Sequence, residues 1–192
     1  MWKWGPPLDG IIQIAFVVDD IHAAMPRYAS ELRVGPWFLA EHFALEKFSY
    51  RGAPATPDIS LCLGFSGSMM IELIQQNCTS PSPYIDEANR PRCGFHHWGV
   101  AATPDAYQDR LDEFVDKGFP MVLDAVVGAG SRASYVDSAS VLGGLIELME
   151  INPPVEELFT HMRNSATAGY PAGTILPFPG APGAQMSTPS EI

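Results

Sequence analysis

Four polar side chains interrupt stretches that otherwise read as apolar strands: Gln13 in "IIQIAFVV", Glu72 in "SMMIELIQQ", His97 in "GFHHWGVAA" and Glu147 in "GLIELMEIN". Side chains alternate across a strand, so residues two apart share a face. By that parity Gln13 lies with Ile11, Ala15 and Val17, Glu72 with Met70 and Ile74, and Glu147 with Leu145 and Met149. Each is the lone polar group of an apolar face. A buried carboxylate without a partner is costly, and it responds by shifting its pKa or finding a cation. Two carboxylates, one imidazole and one amide converging in an interior would meet that need by binding a divalent metal. Such a mixed nitrogen and oxygen set suits Zn, Ni, Co or Mn.

Each residue taken singly has a plainer reading. An isolated "IEL" strand more often turns its glutamate to solvent, and a lone strand histidine is more often a hydrogen-bonded core or surface residue. Gln13 alone carries no signal. The neighbouring His96 and His97 pose a separate question, because parity puts Phe95, His97 and Gly99 on one face and His96, Trp98 and Val100 on the other. The two rings then point opposite ways. His96 is expected to pack at a module interface or against a helix covering the sheet.

The shared reading gains weight from the elements that carry these residues. "IIQIAFVV" (11–18) is followed by "DD", which offers N-caps, and by "IHAAMPRYASEL" (21–32), whose apolar residues recur at near-helical spacing around Pro26. "VGPWF" (34–38) begins an extended stretch, and strands are predicted over 58–66 and 68–76. After a turn-rich connector (77–93) the order recurs. "GFHHWGVAA" reads as a strand and 103–118 as a helix, with Thr103 as N-cap, Pro104 at N1 and Gly118 at its end. Strands over 120–128, 132–138 and 144–152 follow. Both halves therefore read β-α-β-β-β, with "IELI" and "IELM" closing them and Gln13 aligning on His97. The expected architecture is α+β: one domain over 1–152 made of two paired βαβββ modules (about 10–76 and 94–152). Beyond it lie a short helix (153–166) and a Pro/Gly-rich tail (169–192).

Composition narrows the setting. A chain of 192 residues that is 46% hydrophobic and 17% charged can bury a core. A formal net charge of -11 argues against nucleic acid or an anionic membrane as partner, because like charges repel. No apolar run approaches the ~20 residues of a bilayer span, and the N-terminal "MWKWGPP" shows no export pattern. Three cysteines, Cys62, Cys78 and Cys93, lack CxxC spacing and fit reduced thiols in a cytoplasmic protein.

With "IIQIAFVVDD", "MIELI", "GFHHWGVAA" and "GGLIELME" on its four key strands, the chain resembles the vicinal oxygen chelate superfamily, which includes glyoxalase I and methylmalonyl-CoA epimerase. The resemblance covers about residues 10–152. It implies a cup-shaped, barrel-like sheet in which the two modules enclose a metal, with one ligand from each key strand: Gln13, Glu72, His97 and Glu147. The glutamine with Glu, His and Glu is glyoxalase-like, whereas the single chain and the "GLIEL" ending are closer to the epimerases.

The resemblance further implies a metal-dependent isomerase, epimerase or lyase acting on a small carbonyl substrate. Proton abstraction would lead to a metal-stabilised, enolate-like intermediate. Glu147 would be ligand at rest and base when displaced. The epimerases use a second acidic residue on an early strand, for which Glu46 is the nearest match and Glu41 the rival. A hydrolytic or ring-opening metalloenzyme and a metal-free small-molecule-binding protein are the alternatives. An iron dioxygenase fits less well, because Gln13 stands where those members have a histidine. By the same analogy a homodimer is expected.

Overall fold

A computed structural model describes residues 1–6 and 8–179; the tail expected to be extended or disordered lies, over 180–192, outside the described residues. The elements follow in the order β1 (Ile11–Val17), α1 (Ile21–Leu32), β2 (Trp37–Ala40), β3 (Glu46–Tyr50), β4 (Ala53–Pro54), β5 (Ile59–Ser66), β6 (Met69–Gln76) and β7 (Gly94–Ala102). Then come α2 (Tyr107–Asp116), β8 (Met121–Val127), β9 (Ser131–Val136), α3 (Ala139–Leu142), β10 (Leu145–Glu150), α4 (Pro153–Thr167) and β11 (Ile175–Pro177). Among the described residues no helix is long and apolar enough to cross a membrane.

All strands join one curved, unclosed sheet of eleven strands in the order β11-β2-β5-β6-β1-β7-β10-β9-β8-β3-β4. The duplication is explicit in this order. β2-β5-β6-β1 forms one half and β7-β10-β9-β8 the other, joined where β1 and β7 run antiparallel. In each half the first and last strands pair in parallel, β1 with β6 and β7 with β10. The α+β class and paired-module topology match the expectation.

One helix covers the outer face of each half. Asp20 caps α1 by accepting from the Ala23 N–H at 2.9 Å, and Ile21, Met25 and Ala29 are buried at i, i+4, i+8 spacing. Ile21 and Met25 pack with Val34, Trp37, Cys62, Ile71 and Leu73. Pro26 sits inside the helix. On the other half, α2 buries Tyr107, Leu111 and Phe114 against Val136, Ile146 and Leu148. Each such side chain contributes roughly 1.5–3 kcal/mol of transfer free energy. This helix starts later than the sequence suggests: Thr103 is not its cap, because residues 103–106 form a turn closed by the Ala106 N–H to Thr103 carbonyl bond (3.0 Å).

Two departures from the expected pattern shape the inner face. Between β2 and β5, where the β-α-β-β-β order provides for no further pair of strands, stands the β3–β4 hairpin. That hairpin leaves the first half and pairs antiparallel with β8 of the second. At the opposite edge, β11, from the segment read as tail, adds in parallel to β2. α4 begins at Asn152, whose side chain accepts from the Val155 N–H at 3.1 Å. It lays Val155, Phe159 and Met162 into the inner core beside Trp2 and Trp4.

Candidate metal centre

The strand registers explain why the four polar residues meet. Gln13 lies opposite Met70 and Ala15 opposite Glu72 in the first half; His97 lies opposite Leu145 and Gly99 opposite Glu147 in the second. The two-residue offset is the same in both. Across the junction, Gln13 faces Gly99 and Ala15 faces His97, so two small residues floor the place where four side chains converge. A Cβ on Gly99 would sit 2.7 Å from the Gln13 Cβ and 2.9 Å from the Met149 Cε. Only glycine leaves that room.

The structure brings Gln13, Glu72, His97 and Glu147 together, with 2%, 7%, 0% and 8% of their surfaces exposed. The Gln13 amide donates to the Glu72 Oε2 at 2.6 Å. The His97 Nε2 stands 3.1 Å from the Glu147 Oε2 and 3.4 Å from the Glu72 Oε2. One ligand atom from each of Glu72, His97 and Glu147 falls within a mutual 4.8 Å.

Electrostatics there are strained. Burial alone would lower the His97 pKa, but the carboxylates of Glu147 and Glu72 win and push it up to about 9. Glu72 is itself raised by burial and by the charge of Glu147, against the pull of His97 and the Gln13 amide. Yet the His97 Nε2 and the Glu147 Oε2 are buried without a hydrogen-bond partner, so their approach is an ionic contact outside hydrogen-bonding direction. Buried polar atoms are nearly always satisfied. Two orphans aimed at one point, beside a second carboxylate, make a donor set that a divalent cation fits.

His96 departs from the parity expectation. Phe16 pairs with Phe95 and Ala15 with His97, leaving His96 as the extra residue of a β-bulge. The bulge turns both rings to the same side. Their Nδ1 atoms lie 2.9 Å apart, and the His96 Nε2 lies 3.2 Å from the Pro83 carbonyl oxygen. Phe95 swings to the outer face, against Phe16 and Trp98. His96 therefore packs under the site, between Tyr84 and Tyr135, and not against a covering helix. Burial and the neighbouring His97 lower its pKa to about 3, which keeps it neutral.

Tyr84 and Tyr135 were not singled out in the sequence. Their hydroxyls bond at 3.1 Å, the Tyr135 ring lies 4.8 Å from that of His97, and burial raises both pKa values. Tyr135 shares the inward parity of Ala133 on β9, which was a readable signal. Tyr84 sits in the connector, where no periodicity marks it. Glu46, by contrast, is exposed and is not among the residues lining the cavity that Gln13, Glu72 and Glu147 line. A register shift between Glu46 and Ser49, with Lys47 at φ 49°, breaks the alternation that would have set Glu46 beside the buried Phe48. The rival Glu41 stands at the mouth of the site, bonded to the His22 Nε2 at 3.1 Å.

Above the quartet opens a cavity of about 750 Å³, walled by the inner faces of β5, β8 and β9, by α4, and by the segments around Phe43 and Phe178. Gln13, Glu72, Tyr84, Tyr135 and Glu147 lie on its floor side.

A hypothetical protein from Bacillus halodurans C-125 superposes with a TM-score of 0.52 at 19% identity, over 76% of this chain and 96% of that one. Methylmalonyl-CoA epimerase from Mycobacterium tuberculosis gives 0.47 at 19% identity, over 80% and 95%. A Streptomyces coelicolor methylmalonyl-CoA epimerase in complex with 2-nitronate-propionyl-CoA gives 0.45 at 18%, over 75% and 98%. A comparison of the sequence with curated proteins gave no match. The family model described as "Glyoxalase/Bleomycin resistance protein/Dioxygenase superfamily" matches residues 12–135, and the chain belongs to that superfamily.

Proposed function

We propose that the protein is a metal-dependent enzyme of the isomerase, epimerase or lyase type, which moves a proton on carbon next to a carbonyl group. The observation that carries this reading is the pair of orphaned buried atoms, the His97 Nε2 and the Glu147 Oε2, 3.1 Å apart, at the base of a cavity that Glu147 lines. Glu72, His97 and Glu147 would hold the ion, with Gln13 as a fourth neighbour. A bound divalent cation supplies Lewis acidity, which favours the build-up of negative charge on a carbonyl oxygen.

The chain's own residues do the rest. Glu147, a ligand at rest and a base when displaced, takes the proton from the carbon and returns it; its Oε2 has no hydrogen bond that would hold it back. Gln13 holds Glu72 through its amide and so keeps the second carboxylate from competing as base. The Tyr84–Tyr135 hydroxyl pair carries two protons but uses one in its mutual bond. The other is available to a substrate oxygen, and burial keeps both phenols protonated. The surrounding apolar walls exclude water.

Purified protein offered Zn, Ni, Co and Mn should retain close to one equivalent of ion. It should also exchange the α-hydrogen of a bound ketone with solvent deuterium. Glu147→Gln should keep the fold and lose exchange by several orders of magnitude; retention of most exchange would remove Glu147 as the base. A second reading has its own support: with His97 protonated, its charge compensates Glu72 and Glu147, as a metal-free binding protein would require. Failure to retain any ion would favour that reading.

A further inference from the structure

We infer that the cavity takes an uncharged, largely apolar carbonyl compound, with its oxygens at the floor and its hydrocarbon body along the walls. For the chemistry at the floor this rests on the proposed function; for the character of the ligand it rests on the walls alone. About 750 Å³ is the size of pocket that encloses a drug-sized molecule. Among the described residues no lysine or arginine lines it, while Glu41, Glu72, Glu147, Glu150 and Glu157 do.

The nearby cations are engaged elsewhere. Arg132 pairs with Glu150 and stacks on Tyr107 at the outer face, Lys3 pairs with Glu156 at 3.6 Å, and Arg163 lies over the Phe65 ring. A phosphate or carboxylate carried along the walls would shed water and meet carboxylates in place of counter-charge, a loss no wall side chain offsets. An apolar body meets the opposite situation. Leu61 and Leu63 stand on one wall, Leu123 and Ala125 on the other, and Leu158 and Phe178 close over them. Phe178 is fixed there by its edge contact with Phe43, at 5.8 Å between rings. The closing residues come from α4 and the segment after it, outside the matched stretch 12–135. This chain thus supplies its own apolar roof.

The test uses full-length protein, with and without added metal, and calorimetric titration with alkane-2,3-diones of increasing chain length. Each is compared with the same dione bearing a terminal carboxylate, and with propionyl-CoA as polyanion. Affinity should rise about three- to fourfold per added methylene, and the neutral dione should bind at least tenfold tighter than its carboxylate. Leu158→Arg, which sets a cation in the wall, should reverse that preference. Equal or tighter binding of the carboxylate or of propionyl-CoA by the unaltered protein overturns the inference, and so does affinity that is flat with chain length or absent. The two readings part cleanly. Protein that retains no metal but binds diones by length sinks the proposed chemistry alone, whereas protein that retains metal and prefers the anion sinks the ligand class alone.

Discussion

The Nδ1 atoms of His96 and His97 lie 2.9 Å apart, so one ring must donate to the other. The direction follows from the remaining contacts. His97 needs a free lone pair on Nε2 to face a cation, which puts its proton on Nδ1 and makes it the donor. His96 then accepts on Nδ1 and donates from Nε2 to the Pro83 carbonyl at 3.2 Å. A chain of two bonds thereby sets the tautomer and the aim of His97. His96→Phe should keep the fold and weaken metal retention roughly 10–100-fold, as read by competition with a chelator dye. Unchanged affinity would show that the bond orients nothing.

Gly99 is the second handle on the site. Because a Cβ there meets the Gln13 Cβ at 2.7 Å, Gly99→Ala must push β1 away from β7 or turn Gln13 off its bond to Glu72. Overpacking of this kind costs about 1–3 kcal/mol. Thermal unfolding should fall accordingly, and metal retention should fall with it.

Chelated protein should lose stability toward both acid and alkaline pH, with its maximum below pH 6.5. The His97 pKa rises on folding from 6.5 to about 9; its stabilising charge is fully present below 6.5 and is lost as pH climbs through 9. The His96 pKa falls on folding from 6.5 to about 3; its contribution is present above 6.5 and is lost as pH drops toward 3. The raised Glu72 adds a further loss as pH rises above its ordinary 4.5. Denaturant titrations of chelated protein across that range check the shape. His97→Gln should flatten the alkaline limb, and His96→Phe the acid limb.

Tyr135→Phe removes one of the paired hydroxyls at the cavity floor. Exchange of the substrate hydrogen should slow about a hundredfold, with ligand affinity nearly kept. Glu46→Gln serves as the control: its side chain is exposed on β3, and exchange rates should not move.

Much of this was legible in the sequence because the information was local and repeated. A lone polar residue on each of four apolar faces, twice in the same order, located Gln13, Glu72, His97 and Glu147, and the duplication gave the topology. What escaped depended on pairing partners. "FHHW" alternates equally well with or without a bulge, and only the register against Phe16 and Ala15 reveals that His96 is the extra residue. The exposure of Glu46 was hidden in the same way, by the register shift between Glu46 and Ser49. The Tyr84 hydroxyl reaches the site from a connector whose composition says only "turn". β11 adds to β2 through backbone bonds, which side-chain patterns do not announce.

The crossing of β3 and β4 onto β8 has a consequence for assembly. The hairpin lies in the first half of the chain but completes the sheet of the second. A product ending after β6 would carry a hairpin with no mate, and one beginning at β7 would bare the rim of β8 to stray strands. Neither half, cut from the other, would keep its sheet edge covered.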